Sequence, residues 1–142
     1  MRILAVDLGE ARTGLALCDE GEVLASPAGV LRLHDRERLA RAVADEAEKS
    51  GAGMVVVGLP RNMDGTEGES AAKARAFAES LRALVRVPVA LQDERGTTVT
   101  AHRYLNDTDT RGPKRKAVID AVAATVILQD YLSFRRNHPS AF

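Results

Sequence analysis

Three carboxylates in this chain stand where ordinary packing would not put them. Asp7 ends the apolar run Ile3-Leu4-Ala5-Val6, Glu94 ends Val89-Ala90-Leu91-Gln92-Asp93, and Asp120 lies between Val118-Ile119 and Ala121-Val122. Burying an ionised carboxylate costs on the order of several kcal/mol unless it is paired or binds a cation. Oxygen ligands with no Cys or His among them suit Mg²⁺ or Mn²⁺ rather than zinc. Two such ions roughly 3.5–4 Å apart hydrolyse phosphodiesters, one activating water and the other steadying the leaving oxygen. The expected chemistry is that of a metal-dependent nuclease, with Asp7, Glu94 and Asp120 as ligands. Each residue alone has a plainer reading. Asp7-Leu8-Gly9 fits a turn, Asp93-Glu94 fits a strand meeting solvent, and Asp120 fits an ion pair with Lys116 one helical turn earlier. Together they favour the metal.

The elements that must position these residues follow from the apolar patterning. Ile3 to Val6 is a continuous apolar run, as in a central strand covered on both faces. Thr13 to Cys18 and Val23 to Leu31 read as two further strands joined by a turn at Asp19-Glu20-Gly21-Glu22, and Pro27 marks the second as an edge strand. Asp35 caps a helix whose apolar face is Leu39, Ala42, Val43 and Ala47 and which stops at Gly51. Met54-Val55-Val56-Val57 is a buried strand stopped by Gly58-Leu59-Pro60. A helix starting near Thr66, where Thr66-x-x-Glu69 fits a capping box, carries the stripe Ala74, Phe77, Ala78, Leu81 and Leu84. Val89 to Asp93 is the fifth strand. A helix through Ala101, Tyr104 and Leu105, a polar loop from Asn106 to Pro113 and a last helix from Lys114 to Phe134 complete the chain.

Two helix crossovers make the first, fourth and fifth strands parallel, so Asp7 and Glu94 fall on one carboxyl edge, where open α/β sheets place their sites. On a helical wheel Asp120 shares a stripe with Ala123, Ala124, Ile127 and Tyr131, whose small alanines allow close approach to the sheet. The predicted architecture is α/β: a single mixed five-stranded sheet with helices on both faces, one domain over residues 1–142.

Bulk composition narrows the function. With 20 Lys and Arg against 20 Asp and Glu the formal charge is zero, which argues against holding nucleic acid by net charge. Between Arg103 and Arg136, however, seven basic residues face four acidic ones. Arg111, Lys114 and Arg115 in that stretch are candidate phosphate contacts, or else a solvated loop. Aromatic residues make up only 4%, too few for a base-stacking platform. Cys18 is the single cysteine, and His34, His102 and His138 lack metal-ligand spacing. A reducing cytoplasm is the expected location. No apolar run reaches the ~20 residues of a membrane span, and Met1-Arg2 leads straight into a strand without a signal-peptide pattern.

Four segments resemble the signature blocks of the bacterial YqgF family. They are Asp7-Leu8-Gly9-Glu10-Ala11-Arg12-Thr13-Gly14-Leu15-Ala16, Val57-Gly58-Leu59-Pro60-Arg61-Asn62-Met63-Asp64-Gly65-Thr66-Glu67, Asp93-Glu94-Arg95-Gly96-Thr97-Thr98 and Ile119-Asp120-Ala121-Val122-Ala123-Ala124. They occur in the family's order and spacing and cover nearly the whole chain. Members are described both as pre-16S rRNA nucleases and as Holliday junction resolvases, with an RNase H-like fold. The resemblance implies that Asp7, Glu94 and Asp120 match the family's acidic triad. Glu10 and Gly96 depart from the pattern, where a small or hydroxyl residue and a leucine are usual. Glu10 is expected to add negative charge near the site.

Arg61 and Asn62, with the start of the following helix, are candidates to hold backbone phosphates. Arg12 and Arg95 flank two ligands and would offset their repulsion or grip phosphate. The partner implied is nucleic acid: first the 5′ end of pre-16S rRNA, alternatively a four-way DNA junction, with the chain a monomer or homodimer. Two other classes fit the opening block less well. The sugar kinase, actin and chaperone ATPase fold needs a second similar domain, for which 142 residues leave no room. A non-catalytic RNA-binding module does not need a complete triad.

Overall fold

The structure is a computed structural model that describes residues 1–94 and 112–138, with side chains in the latter stretch described from residue 122. Five strands, β1 (Ile3–Asp7), β2 (Thr13–Cys18), β3 (Ala25–Leu31), β4 (Met54–Leu59) and β5 (Val89–Asp93), form one sheet in the order β3-β2-β1-β4-β5. Helix α1 (Arg36–Ser50) joins β3 to β4, α2 (Glu69–Leu84) joins β4 to β5, and α3 (Gly112–Asn137) is the last element. The β1–β2 and β2–β3 pairs are antiparallel, whereas β1–β4 and β4–β5 are parallel. The mixed sheet predicted from the two crossovers is the sheet observed. The expected helix through Ala101, Tyr104 and Leu105 lies outside the described residues.

Strand alternation divides the core into two layers. Leu4, Val6, Val55 and Val57 meet α1 and α2 through Leu39, Val43, Phe77 and Leu81. On the other face Ile3, Ala5, Met54 and Val56 meet α3 through Ala124, Ile127, Leu128 and Tyr131. Each large apolar side chain enclosed this way contributes roughly 1.5–3 kcal/mol, and the central strands, enclosed on both sides, have no face to spare for polar residues. Among the described residues no helix is long and apolar enough to cross a membrane.

Local hydrogen bonds set the element boundaries. Asp35 Oδ1 accepts from the N–H groups of Glu37 (2.9 Å) and Arg38 (3.2 Å), and Gly51 closes α1 at φ 71°. β3 starts at Ala25 rather than Val23, because the N–H groups of Val23 and Leu24 donate to Asp19 Oδ1 instead of to a neighbouring strand. β3 is the edge strand that Pro27 predicted, and its register shifts beside Gly29, which takes φ 124°. The capping box does not form. Thr66 gives both its N–H and its hydroxyl to Asp64 Oδ1, and α2 begins three residues later, after Gly68. Leu84, expected in the core stripe, is exposed at the end of α2.

Candidate functional site

The parallel register places the first two carboxylates. Val6 pairs with Val57 and Gly58 pairs with Gln92, so Asp7 at the end of β1 comes level with Gly58, and Glu94 follows directly after β5. The Glu94 N–H donates to the Leu59 carbonyl at 3.2 Å, which holds its backbone to β4 beyond the last strand residue. Asp7 and Glu94 therefore flank β4 at the carboxyl edge of the sheet, as the crossovers predicted.

Glu94 is partly buried, and its carboxyl group is pushed up to about 8. Desolvation is the largest cause, followed by the negative charge of Asp7 and then that of Asp93. A carboxyl group held this way keeps its proton near neutral pH unless a cation replaces it. The donor set thus fits a hard divalent cation, which would relieve both the repulsion and the desolvation.

The course of α3 bears on the third position. Tyr131 donates its hydroxyl to Met54 Sδ at 3.1 Å, at the start of β4, whereas Ile127 stands over Gly58 near that strand's end. The helix therefore runs antiparallel to β4, and its earlier turns continue toward the edge that carries Asp7 and Glu94. Position 120 is two turns before Ile127 and one before Ala124, both packed on the sheet. The Asp120 side chain itself lies outside the described residues, and among those that are described no cluster of three metal-binding side chains forms.

The candidate phosphate contacts divide three ways. Arg12 is half-buried in the loop after β1. In the loop after β4, Arg61 lies between two acids, 3.4 Å from Glu67 and 3.9 Å from Asp93. Its Nε is buried without a hydrogen-bond partner among the described residues, which leaves the guanidinium donor-rich at the site's border. Asn62 is engaged inside its own loop. Its side-chain amide donates to Thr66 Oγ1 at 2.8 Å, and its N–H donates to the Thr66 carbonyl at 2.9 Å. Lys114 and Arg115 are on the first turns of α3, their side chains outside the described residues, and Arg95 and Arg111 lie outside them altogether.

Sequence reading missed the side chains that brace these loops. Arg75 holds Glu67 with two hydrogen bonds, 2.7 and 2.8 Å, fastening the β4–α2 loop to α2. Arg36 donates to the Gly9 carbonyl at 2.8 Å, and Lys73 pairs with Glu10 at 3.2 Å. Glu10, expected to add negative charge near the site, shares Lys73 with Glu69, which lies 3.4 Å from the same ammonium. No helical or strand spacing announces these pairs: Arg75 and Glu67 bridge from loop to helix, and the partners of the other two lie far apart in the chain.

Comparison with known proteins bears on both fold and family. A family model described as "RuvX: Holliday junction resolvase" matches residues 1–134. A protein of Chloroflexus aurantiacus named "Putative pre-16S rRNA nuclease" is 40% identical over 138 residues, covering 97% of this chain and 90% of that protein. A protein of the same name from Anaeromyxobacter sp. is 45% identical over 135 residues, covering 95% of this chain and 98% of its own. Among solved structures, Thermus thermophilus RuvC matches with a TM-score of 0.59 at 15% identity, covering 96% of this chain and 97% of that one. The fowlpox virus Holliday junction resolvase matches with a TM-score of 0.57 at 15% identity, covering 94% and 99%. At such identities the likeness is one of fold, and the fold is the RNase H-like one of these resolvases.

Proposed function

The chain belongs to the RuvX family, the same family its YqgF-like blocks resemble, and from that premise we propose that it is a nuclease hydrolysing phosphodiester bonds at the carboxyl edge of its sheet. The observation that carries the reading is Glu94, a partly buried carboxyl group facing Asp7 and Asp93. A divalent cation at this edge would offset both the like charges and the burial of Glu94, and strongly shifted acids gather at functional sites. Residues 1–142 act as one nuclease domain in this reading.

Asp7, Glu94 and Asp120 would hold Mg²⁺ or Mn²⁺. When bound, the ion supplies an activated water and charge stabilisation for the leaving oxygen. The chain's own residues supply the setting. β1 and β5 carry two carboxylates on either side of Gly58, and the antiparallel course of α3 over β4 supports Asp120 as the third. Arg12 and Arg61, with Asn62, Arg95, Arg111, Lys114 and Arg115, are the residues proposed to position the sugar–phosphate backbone. Contacts of that kind set orientation without reading sequence. The metal requirement is tested by cleavage of labelled RNA in Mg²⁺, in Mn²⁺, in Zn²⁺ and in EDTA. Activity is expected with the first two, absent in EDTA and not restored by Zn²⁺. Cleavage that survives EDTA would end the metal reading.

The substrate proposed is the 5′ end of pre-16S rRNA, supported by the names of relatives aligned over nearly the whole chain. The second reading is resolution of four-way DNA junctions, favoured by the family description and by a fold shared with junction resolvases. Symmetric cutting of a junction calls for a two-fold dimer. Mapping pre-16S 5′ ends in cells depleted of the protein separates the two. Extended 5′ ends are expected, and normal ends with unresolved junctions would favour the second reading. The cytoplasm is the location proposed with either substrate.

A further inference from the structure

We propose that Gly58 is a positioning residue for this centre, its missing side chain being the space in which the Glu94 carboxylate rests between β4 and α3. The inference builds on the reading of Glu94 as a metal ligand. A glycine inside a strand costs backbone entropy and packs nothing, so its presence in a fully buried strand needs a cause. Conformation is not that cause: Gly29, Gly51 and Gly65 are the described glycines with positive φ, and Gly58 is not among them. It sits in regular parallel pairing with Gln92, where any residue fits the backbone. Space is the cause. A Cβ at this position would lie 2.6 Å from Ile127 Cδ1, 2.9 Å from Glu94 Cδ and 2.9 Å from Glu94 Oε2.

The two neighbours differ in their freedom to retreat. Ile127 is completely enclosed by Ile3, Ala5, Val56 and the rest of the layer beneath α3. Glu94 is only partly buried and has a flexible side chain. An added methyl group would therefore be absorbed mostly by the carboxylate, which would leave its place beside Asp7. The same absent side chain leaves room for both Ile127 Cδ1 and the Glu94 carboxylate over β4.

The test uses full-length parent, Gly58→Ala, Gly58→Ala/Ile127→Val and Glu94→Gln. Each is read by melting temperature in EDTA, by Mn²⁺ affinity from electron paramagnetic resonance of the free ion, and by RNA cleavage. Gly58→Ala should lose roughly 10–100-fold in Mn²⁺ affinity and in cleavage, the scale expected when a ligand is misplaced. Its melting temperature should fall by a smaller margin than a misfolded core would produce. The double variant removes Cδ1, one of the two clashes, and should regain melting temperature without regaining affinity. Affinity that returns together with stability would mean the glycine serves only the packing of α3, and the proposal would be wrong. It is equally overturned if Gly58→Ala binds and cuts as the parent does while Glu94→Gln does not. If Glu94→Gln itself binds Mn²⁺ like the parent, the metal site has been misassigned, and the role of Gly58 falls with it.

Discussion

Two partly buried glutamates at opposite edges of the sheet show how one residue type is put to different uses. Glu22, in the β2–β3 turn, meets Arg135 near the end of α3, with Arg135 Nε 2.6 Å from Oε1. That hydrogen bond holds the Glu22 carboxyl below its ordinary range. Glu94, where the earlier turns of α3 approach, faces the like charges of Asp7 and Asp93 and is pushed the opposite way, to about 8. One end of the helix is thus a finished ion pair. The other approaches a carboxyl group held among like charges. Burial alone does not mark a functional acid; the sign of its surroundings does.

The largest effects should be on cleavage. Asp7→Asn, Glu94→Gln and Asp120→Asn are each expected to reduce it to the assay background, whereas Glu22→Gln should cut at the parental rate. Asp120 tests whether the comparison extends to the third position. As a metal ligand in the Glu94 class, its amide variant should melt in EDTA no lower than the parent, because a repelling charge has been removed. As half of an ion pair with Lys116, it belongs to the Glu22 class, and its loss would lower stability by roughly 3–5 kcal/mol if that pair is deeply buried. A variant that melts far lower yet still cuts would put Asp120 among the structural residues.

Metal-free stability should separate Glu94 from Glu22 by sign. The folded state holds the Glu94 proton up to about pH 8, while the unfolded chain releases it near 4.5. Between those values the folded state binds the extra proton, so stability falls as pH rises through the window and levels off above it. Glu94→Gln should match the parent at the low end and exceed it by roughly 2–4 kcal/mol at pH 8–9. Denaturant melts in EDTA across that range check it, and added Mg²⁺ should abolish the difference. A parent as stable at pH 9 as at pH 5 would show that Glu94 is not under strain.

Much of this centre is legible in the chain, since strand direction follows from connectivity. Runs such as Ile3-Leu4-Ala5-Val6 and Met54-Val55-Val56-Val57 announce strands enclosed on both faces, and the crossovers then bring Asp7 and Glu94 to one edge. Contacts between residues distant in sequence leave no such trace. Gly58-Leu59-Pro60 reads as a stop signal, although its glycine ends up beneath Ile127 and Glu94. Arg61 looks like a free cation in a loop, yet Glu67 and Asp93 border it and Arg75 secures the loop. The false capping box at Thr66 has a local cause: Asp64, two residues earlier, takes the threonine's donors first.

The smallest effect belongs to the finished pair. Glu22→Gln removes the charge that Arg135 neutralises but keeps the side chain's length and one acceptor. Both partners retain some contact with water, 24% of the side chain at Glu22 and 17% at Arg135, so solvent screens the interaction. The expected cost is about 1 kcal/mol near neutral pH, toward the upper end for ion pairs of this exposure. The sign with pH is opposite to that of Glu94. A carboxyl group whose folded-state pKa is lowered contributes its stability above the unfolded value near 4.5, and loses it as pH falls through the lower folded value. Parent and Glu22→Gln should therefore differ at pH 7 and converge in strong acid, and the gap at pH 7 should narrow in high salt. Arg135→Met, which keeps an unbranched apolar stem, leaves Glu22 its hydrogen bond to the Met1 amino group at 3.1 Å, so its pH 7 gap should be no larger than that of Glu22→Gln. A markedly larger loss for the arginine variant would show that its stem also packs against the sheet.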